Sequence, residues 1–293
     1  MIRKNNKMKN KEITTLRGFI GIILDNENDE QYDYFFRGHA NKHYKLEPSV
    51  FRKNENGQYK WETTEDILFR EMIISHPEEF ASSKHTIEKL IKMQHFSLPT
   101  RLLDITSNPL IALYFSCKNT NQTELDNNRE VIIFKVKKEI IKYYDSDSAS
   151  CLSNLAKLSI RDKRSISFNK NTENFNDQLV IKKLVGLVRE EKAHFENRIS
   201  PSTINGIVCI KGIKNNTRIT SQSGAFFLFG HQVSFDEEGI NEIHIQRITI
   251  KNKHSILKEL DLLNINESTV FPQTDSSAKY IAQKFTSEFK KHN

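Results

Sequence analysis

One stretch limits the folds open to this chain more than any other. Between two helix-like apolar patterns stands Gln94-His95-Phe96-Ser97-Leu98-Pro99-Thr100-Arg101-Leu102-Leu103-Asp104-Ile105-Thr106-Ser107-Asn108-Pro109. So many hydrogen-bonding side chains are a liability in a core unless each is satisfied or used. The run leads directly into Leu110-Ile111-Ala112-Leu113-Tyr114-Phe115. Asn108 can cap free amides and Pro109 loses nothing at a first helical position, so a helix is expected from there to about Cys117.

The flanking segments alternate between two periods. A short amphipathic helix is expected over 13–24, a first strand over Tyr34-Phe35-Phe36-Arg37-Gly38, and an extended or turn-like segment from Leu46 to Arg52. Helices are expected from Trp61 to Ser75, capped by Thr63 or Thr64 with Pro77 just beyond, and from Thr86 to Phe96. Glu130 to Val136 alternates as a strand does. The clearest helix of the polar middle runs from Asp177 to His194, with Leu179, Val180, Leu184, Leu187 and Val188 as its apolar set. After Pro201 strands are expected over 206–210, 218–229 and 243–250, and closing helices over 255–263 and 275–290. Strands not regularly alternated with crossover helices predict an α+β protein with a mostly antiparallel mixed sheet and flanking helices.

Composition narrows the class. Hydrophobic residues make up 37% of the 293 residues and aromatics 10%, enough for a folded core of one large or two small domains. The net charge of +7 permits a nucleic-acid or other polyanionic partner without identifying one, and part of it lies in a lysine-rich segment read as a mobile basic tail over 1–12. Cys117, Cys151 and Cys209 are odd in number and far apart, without a CxxC pair, which points to a reduced, cytoplasmic setting. The apolar run Gly18 to Leu24 is too short to span a bilayer, so no membrane is expected. His39 with His43, and His231 with His244, lack metal-site spacing, and no metal is expected. The sequence has no GxGxxG, P-loop or GxSxG motif, and Cys117 inside an apolar helix reads as a buried thiol rather than a nucleophile.

Four separated blocks carry a family resemblance: Phe36-Arg37-Gly38 with Leu46-Glu47-Pro48-Ser49-Val50-Phe51-Arg52; the block from Gln94 to Phe115; Asn216 to Phe226; and Val270-Phe271-Pro272-Gln273-Thr274-Asp275. By these the chain resembles the FRG domain family, named for its Phe-Arg-Gly and found mainly in bacterial and phage proteins. The resemblance implies one FRG-type domain over 13–293, within which the polar, helix-leaning stretch 145–200 reads as a helical insertion or subdomain. Ser97 stands where the family usually has glycine and Ile105 where it usually has tryptophan, so loop geometry and packing beside Asp104 are expected to differ.

A weaker resemblance is to the ADP-ribosyltransferase fold, which sets an Arg or His on a first strand, a hydroxyl residue on a second strand before a helix, and a Glu, Asp or Gln on a third. Arg37, Thr106 and Gln222 are the corresponding catalytic candidates. Gly38, His39, Gln94, His95, Arg101, Asp104 and Ser107, together with Arg37, are the candidate cofactor contacts, the cofactor being NAD used as substrate. This resemblance implies an NAD-consuming transferase or glycohydrolase, a toxin-like effector in bacterial stress or phage defence. An arginine forks onto phosphate, and an acceptor on the third strand binds a ribose hydroxyl; a carboxylate there would stabilise developing positive charge better than the amide of Gln222.

Other readings of the same residues stay open. Arg37 can pair with Asp104 to fix strand to loop, Arg101 and Asp104 can pair with each other, and Gln222-Ser223-Gly224 can be a β-bulge. The cluster can also recognise a nucleotide-type small molecule, a nucleic acid or a protein without chemistry, with Tyr143, Tyr144 and Phe168 available for stacking.

Overall fold

The computed structural model of the protein describes residues 11–25, 29–118, 129–211, 222–240 and 242–272. Its strands are β1 (Lys11–Ile13), β2 (Tyr32–His39), β3 (Leu102–Thr106), β4 (Arg129–Lys137), β5 (Ile141–Lys142), β6 (Ile207–Lys211), β7 (Gly224–Phe229), β8 (Gly239–Ile240) and β9 (Ile243–Ile250). They form a nine-stranded sheet in the order β1-β9-β4-β2-β3-β7-β6-β5, with β8 added to β9. Pairing is antiparallel except at the two edges, where β1 on β9 and β5 on β6 run parallel. The fold is α+β, with a mixed and mainly antiparallel sheet.

The sheet is nearly two sheets. β2 and β4 pair along eight residues from Tyr32↔Lys137 to His39↔Glu130, and β3 and β7 along five, but β2 and β3 share the single pair Phe36↔Thr106. One face still carries a continuous apolar layer, in which Phe35, Ile132 and Phe134 of one half meet Leu103, Ile105 and Phe227 of the other beneath Leu46, Val50, Phe51 and Phe235.

The opposite face is covered separately on each half. Phe36, Val131, Ile133, Ile248 and Ile250 pack under α1 (Leu16–Leu24), α5 (Pro109–Cys117), α11 (Lys253–Leu262) and α12 (Glu267–Val270). Leu102, Phe226, Leu228, Val208 and Ile210 pack under a second group, which includes α2 (Glu65–Ser75), α3 (Pro77–Phe80), α4 (Thr86–His95), α6 (Asp147–Asn154), α8 (Thr172–Asn176), α9 (Leu179–Arg189) and α10 (Pro201–Asn205). Between α6 and α8 lies the short α7 (Ile160–Arg164). The sheet seam and the gap between the two helical layers coincide.

Local signals place the elements as expected in most cases. Thr15 caps α1 through its hydroxyl, and Asn108 caps α5 by accepting from the amide of Leu110 at 2.9 Å, with Pro109 in the first helical turn. The stretch 145–200 is helical, and α9 buries Val180, Ile181, Leu184, Val185 and Val188, although Leu179 of its expected apolar set is exposed.

Several boundaries need correction. Lys11 and Glu12, assigned to the tail, belong to β1, where they pair with Ile248 and Thr249 of β9; the rest of the expected tail lies outside the described residues. Trp61 to Ser75 divides into a 3₁₀ turn at Glu62–Thr64 and α2, with no side-chain cap from Thr64, and Pro77 starts α3. Of the strand expected over 218–229 only Gly224–Phe229 is a strand, and residues 218–221 lie outside the described part, as does the helix expected over 275–290.

Ser97 adopts φ 65°, in the left-handed region that glycine enters freely and that a residue with a side chain occupies at a cost. Ile105 is buried in the continuous apolar layer of the sheet. Replacing Ser97 by glycine is expected to raise unfolding stability by about 1 kcal/mol, read as an increase in the urea midpoint at unchanged slope.

Candidate functional site

The parting of β2 from β3 opens a cavity of about 240 Å³ between α4 and α5. Its walls include Arg37 and Gly38 from β2, Gln94 and His95 from the end of α4, Asp104 and Thr106 from β3, and Gln222 from the turn before β7. The three catalytic candidates Arg37, Thr106 and Gln222 therefore reach one cleft from segments far apart in the chain. A second cavity of about 170 Å³ adjoins it at Arg37, Gln94 and Asp104 and extends to Glu47, Ser49 and Arg52.

Arg37 is held from two sides. Its Nη1 donates to the main-chain carbonyl of Asp104 at 2.6 Å, across the strands that have ceased to pair, and its Nε donates to Nε2 of His39 at 3.1 Å. His39 then carries its ring proton on Nδ1, which donates to Oε1 of Glu130 at 3.1 Å, and the same oxygen accepts from Nη1 of Arg247 at 2.5 Å. Burial pushes the Arg37 pKa down, Asp104 opposes this, and Arg52 adds to it. Burial likewise pushes the His39 pKa down, against its hydrogen bond to Glu130 and with the charge of Arg37 adding to the fall. A neutral imidazole is the form that can accept from Arg37 while donating to Glu130.

Thr106 and Gln222 form a clamp at the other end of the cleft. The Thr106 hydroxyl donates to the main-chain carbonyl of Gln222 at 2.6 Å and accepts from the amide of Asn108 at 3.0 Å. Its one proton is thus committed to holding the Gln222 turn. The Gln222 side chain donates from Nε2 to the carbonyl of Val270 at 3.1 Å, which leaves its amide oxygen as the group with accepting capacity. Gln222 and Ser223 lie in a turn rather than in a third strand or a bulge, and Ser223 has φ 48°. At the end of α4, Gln94 accepts from the Thr100 hydroxyl, and the His95 ring packs on Phe96 with centroids 5.5 Å apart.

Three of the expected contact residues do not line the cleft. His39 is 3% exposed and acts behind Arg37. Arg101 does not pair with Asp104: it is 1% exposed, forks onto Glu65 at 2.8 and 2.5 Å, and donates to the carbonyls of Phe229 and Gly230. It ties β3 to α2 and to the end of β7. Ser107 is exposed, and its hydroxyl reaches the carbonyl of Ser223 at 3.4 Å. The anticipated Arg37 to Asp104 link exists, but through the main chain of Asp104 rather than its carboxylate.

Sequence reasoning missed Glu130, Arg247 and Glu65. Glu130 stands opposite His39 in the β2–β4 ladder, so only the register reveals it. Of the aromatics considered for stacking, Tyr143 is exposed, whereas Tyr144 packs edge-on against His85 and Phe168 lies against His231 at 4.9 Å. Among the described residues no three His, Cys, Asp or Glu side chains are grouped to hold a metal ion, and no helix is long and apolar enough to cross a membrane. The three cysteines are buried, with burial pushing the Cys151 thiol up to about 12 and the Cys209 thiol higher still.

Fold and site together define an α+β structure with a cleft, lined by both polar and apolar side chains, at the seam of a divided sheet. Residues 32–125 match the family model of the FRG domain, and this part of the chain is similar to that family. The match begins at the first residue of β2 and takes in Arg37, Gly38, Gln94, His95, Asp104 and Thr106, while Gln222 lies beyond it. No curated protein and no solved structure matches the chain.

Proposed function

We propose that the seam cleft binds NAD and that the protein consumes it, as an ADP-ribosyltransferase-like enzyme or NAD glycohydrolase serving as a cytoplasmic, toxin-like effector in bacterial stress or phage defence. The observation that carries this reading is the convergence of Arg37, Thr106 and Gln222 on one cavity. A volume of about 240 Å³ suits the nicotinamide and ribose end of the dinucleotide, with the remainder extending outward past Arg37. Arg37, preset by His39 and the Asp104 carbonyl, retains donors for a phosphate oxygen. The Gln222 amide oxygen is placed to accept from a ribose hydroxyl, and Thr106 keeps it there.

Titration calorimetry with NAD and assay of nicotinamide release by the purified chain test the proposal. Saturable binding is expected, with Arg37→Ala weakening it about tenfold or more, in line with the loss of one charge-assisted contact. Absence of binding at millimolar NAD overturns it.

A second reading, a nucleotide or nucleic-acid binder without chemistry, is favoured by the net charge of +7 and by an amide rather than a carboxylate at Gln222. Binding of that kind to nucleic acid would fall steeply with added salt and survive Gln222→Ala, whereas NAD turnover would not survive it.

A further inference from the structure

The reading of an NAD-consuming site leaves a chemical gap, because Gln222 offers an amide where the departing nicotinamide leaves positive charge on the ribose carbon. A negative group at the cleft would serve better.

Asp104 has the attributes of that group. It sits in β3, the strand at the seam of the sheet, between Leu103 and Ile105, which are 3% and 4% exposed, yet it is itself exposed. Among the described residues lining the larger cavity it is the one carboxylate, and it also lines the adjoining cavity. No hydrogen bond or ion pair from a described residue reaches its carboxylate; Arg37 binds its main-chain oxygen instead, 2.6 Å away. A strand position at the centre of a sheet favours apolar or paired side chains, so an acid facing a cavity with no bonded partner among the described residues implies a use for its charge. The alternatives are engaged or displaced: Glu130 is committed to His39 and Arg247, and Glu47 lines only the smaller cavity.

We infer that Asp104 is the catalytic carboxylate of this site, placed between a nicotinamide-ribose pocket on one side and an acceptor pocket on the other. This rests on the NAD-consuming reading. In the step, the bond from ribose C1′ to the ring nitrogen breaks and its electron pair leaves with the ring, giving neutral nicotinamide. The acceptor, water or another O–H or N–H nucleophile entering through the smaller cavity, forms a bond to C1′ with its lone pair. Its proton passes to the Asp104 carboxylate and from there to solvent. The carboxylate thus stabilises the charge developing at C1′ and acts as general base in one position.

The test compares Asp104→Asn and Asp104→Ala with the unaltered full chain, using NAD calorimetry and nicotinamide release. Asp104→Asn is expected to bind NAD within about threefold of the parent and to release nicotinamide about a hundredfold more slowly. Added formate is expected to restore part of the activity of Asp104→Ala, which a structural role would not permit. Release by Asp104→Asn within about threefold of the parent, or loss in Asp104→Ala that formate leaves untouched, overturns the inference. If the parent binds NAD without releasing nicotinamide, Asp104 is not a catalyst although the binding reading survives. If the parent does not bind NAD, the reading of the site itself fails.

Discussion

Replacing Gly38 by alanine is expected to cost about 3 kcal/mol or more of folding stability. A Cβ at this position would lie 2.0 Å from the carbonyl oxygen of Ala112 and 2.5 Å from the amide nitrogen of Ser116. Both obstacles are backbone of α5, so no side-chain rotation relieves the overlap. The helix is pinned at its start by Asn108 and buries Ile111, Ala112, Leu113 and Tyr114, so it would have to move bodily off β2. Overpacking that displaces backbone lies at the upper end of the usual penalties. The glycine is required here by close approach rather than by backbone conformation, since its φ is not positive. Urea unfolding of the variant is the measurement; an unfolding free energy within about 0.5 kcal/mol of the parent would contradict the contact between β2 and α5. The same change would lift α5 from the floor of the cleft, so ligand binding is expected to fall with stability.

Replacing Glu65 by glutamine is expected to cost about 3–5 kcal/mol, because it strands two buried cations. Glu65 is 3% exposed and accepts from Arg101 at 2.8 and 2.5 Å and from Lys163 at 2.6 Å. Burial alone would raise its pKa, but the charges of Arg101 and Lys163, with their hydrogen bonds, hold it at about 2 against an ordinary 4.5. A carboxyl with a folded-state pKa below its unfolded value stabilises the fold above the unfolded pKa. That stability is lost as pH falls through the folded pKa. About 3 kcal/mol should therefore disappear between pH 4.5 and pH 2, and the glutamine variant should lack this component of acid sensitivity. Lys163 behaves differently: burial pushes its pKa down, and the attraction of Glu65 offsets this only in part, with Arg101 opposing. Lys163→Met is accordingly expected to be the milder change, since Arg101 remains on Glu65. Urea midpoints of both variants between pH 7 and pH 3 check the order; equal losses would contradict it.

How far the sequence was readable depended on how far apart the cooperating residues lie. Asn108 and Pro109 announced α5 because a cap and its helix are neighbours, and the apolar spacing of α9 appeared for the same reason. Arg37, Thr106 and Gln222 were selected by residue type and setting, and all three line the cleft. Arg101 was misread because its nearest acid in sequence is Asp104, whereas its actual partner, Glu65, lies 36 residues upstream. His39 was given a ligand role because its neighbours are Arg37 and Gly38. Only the strand register sets Glu130 beside it and turns it into a support for the arginine.

The sequence by itself determined most of the elements, the α+β class and the residues from which the candidate site is made, whereas the need for glycine at position 38 comes from the tertiary approach of α5. These follow from backbone preference and from a periodicity of two or 3.6 residues, which are local properties. Tertiary structure alone decided that β2 and β3 pair at one residue and then part. The parting beyond that pair opens the cavity, admits the Arg37 guanidinium to the Asp104 carbonyl and leaves the Asp104 carboxylate in the cleft with no bonded partner among the described residues. Strand pairing is set by packing between distant segments, and two separate helical layers cover the halves of this sheet, an arrangement that no local pattern encodes.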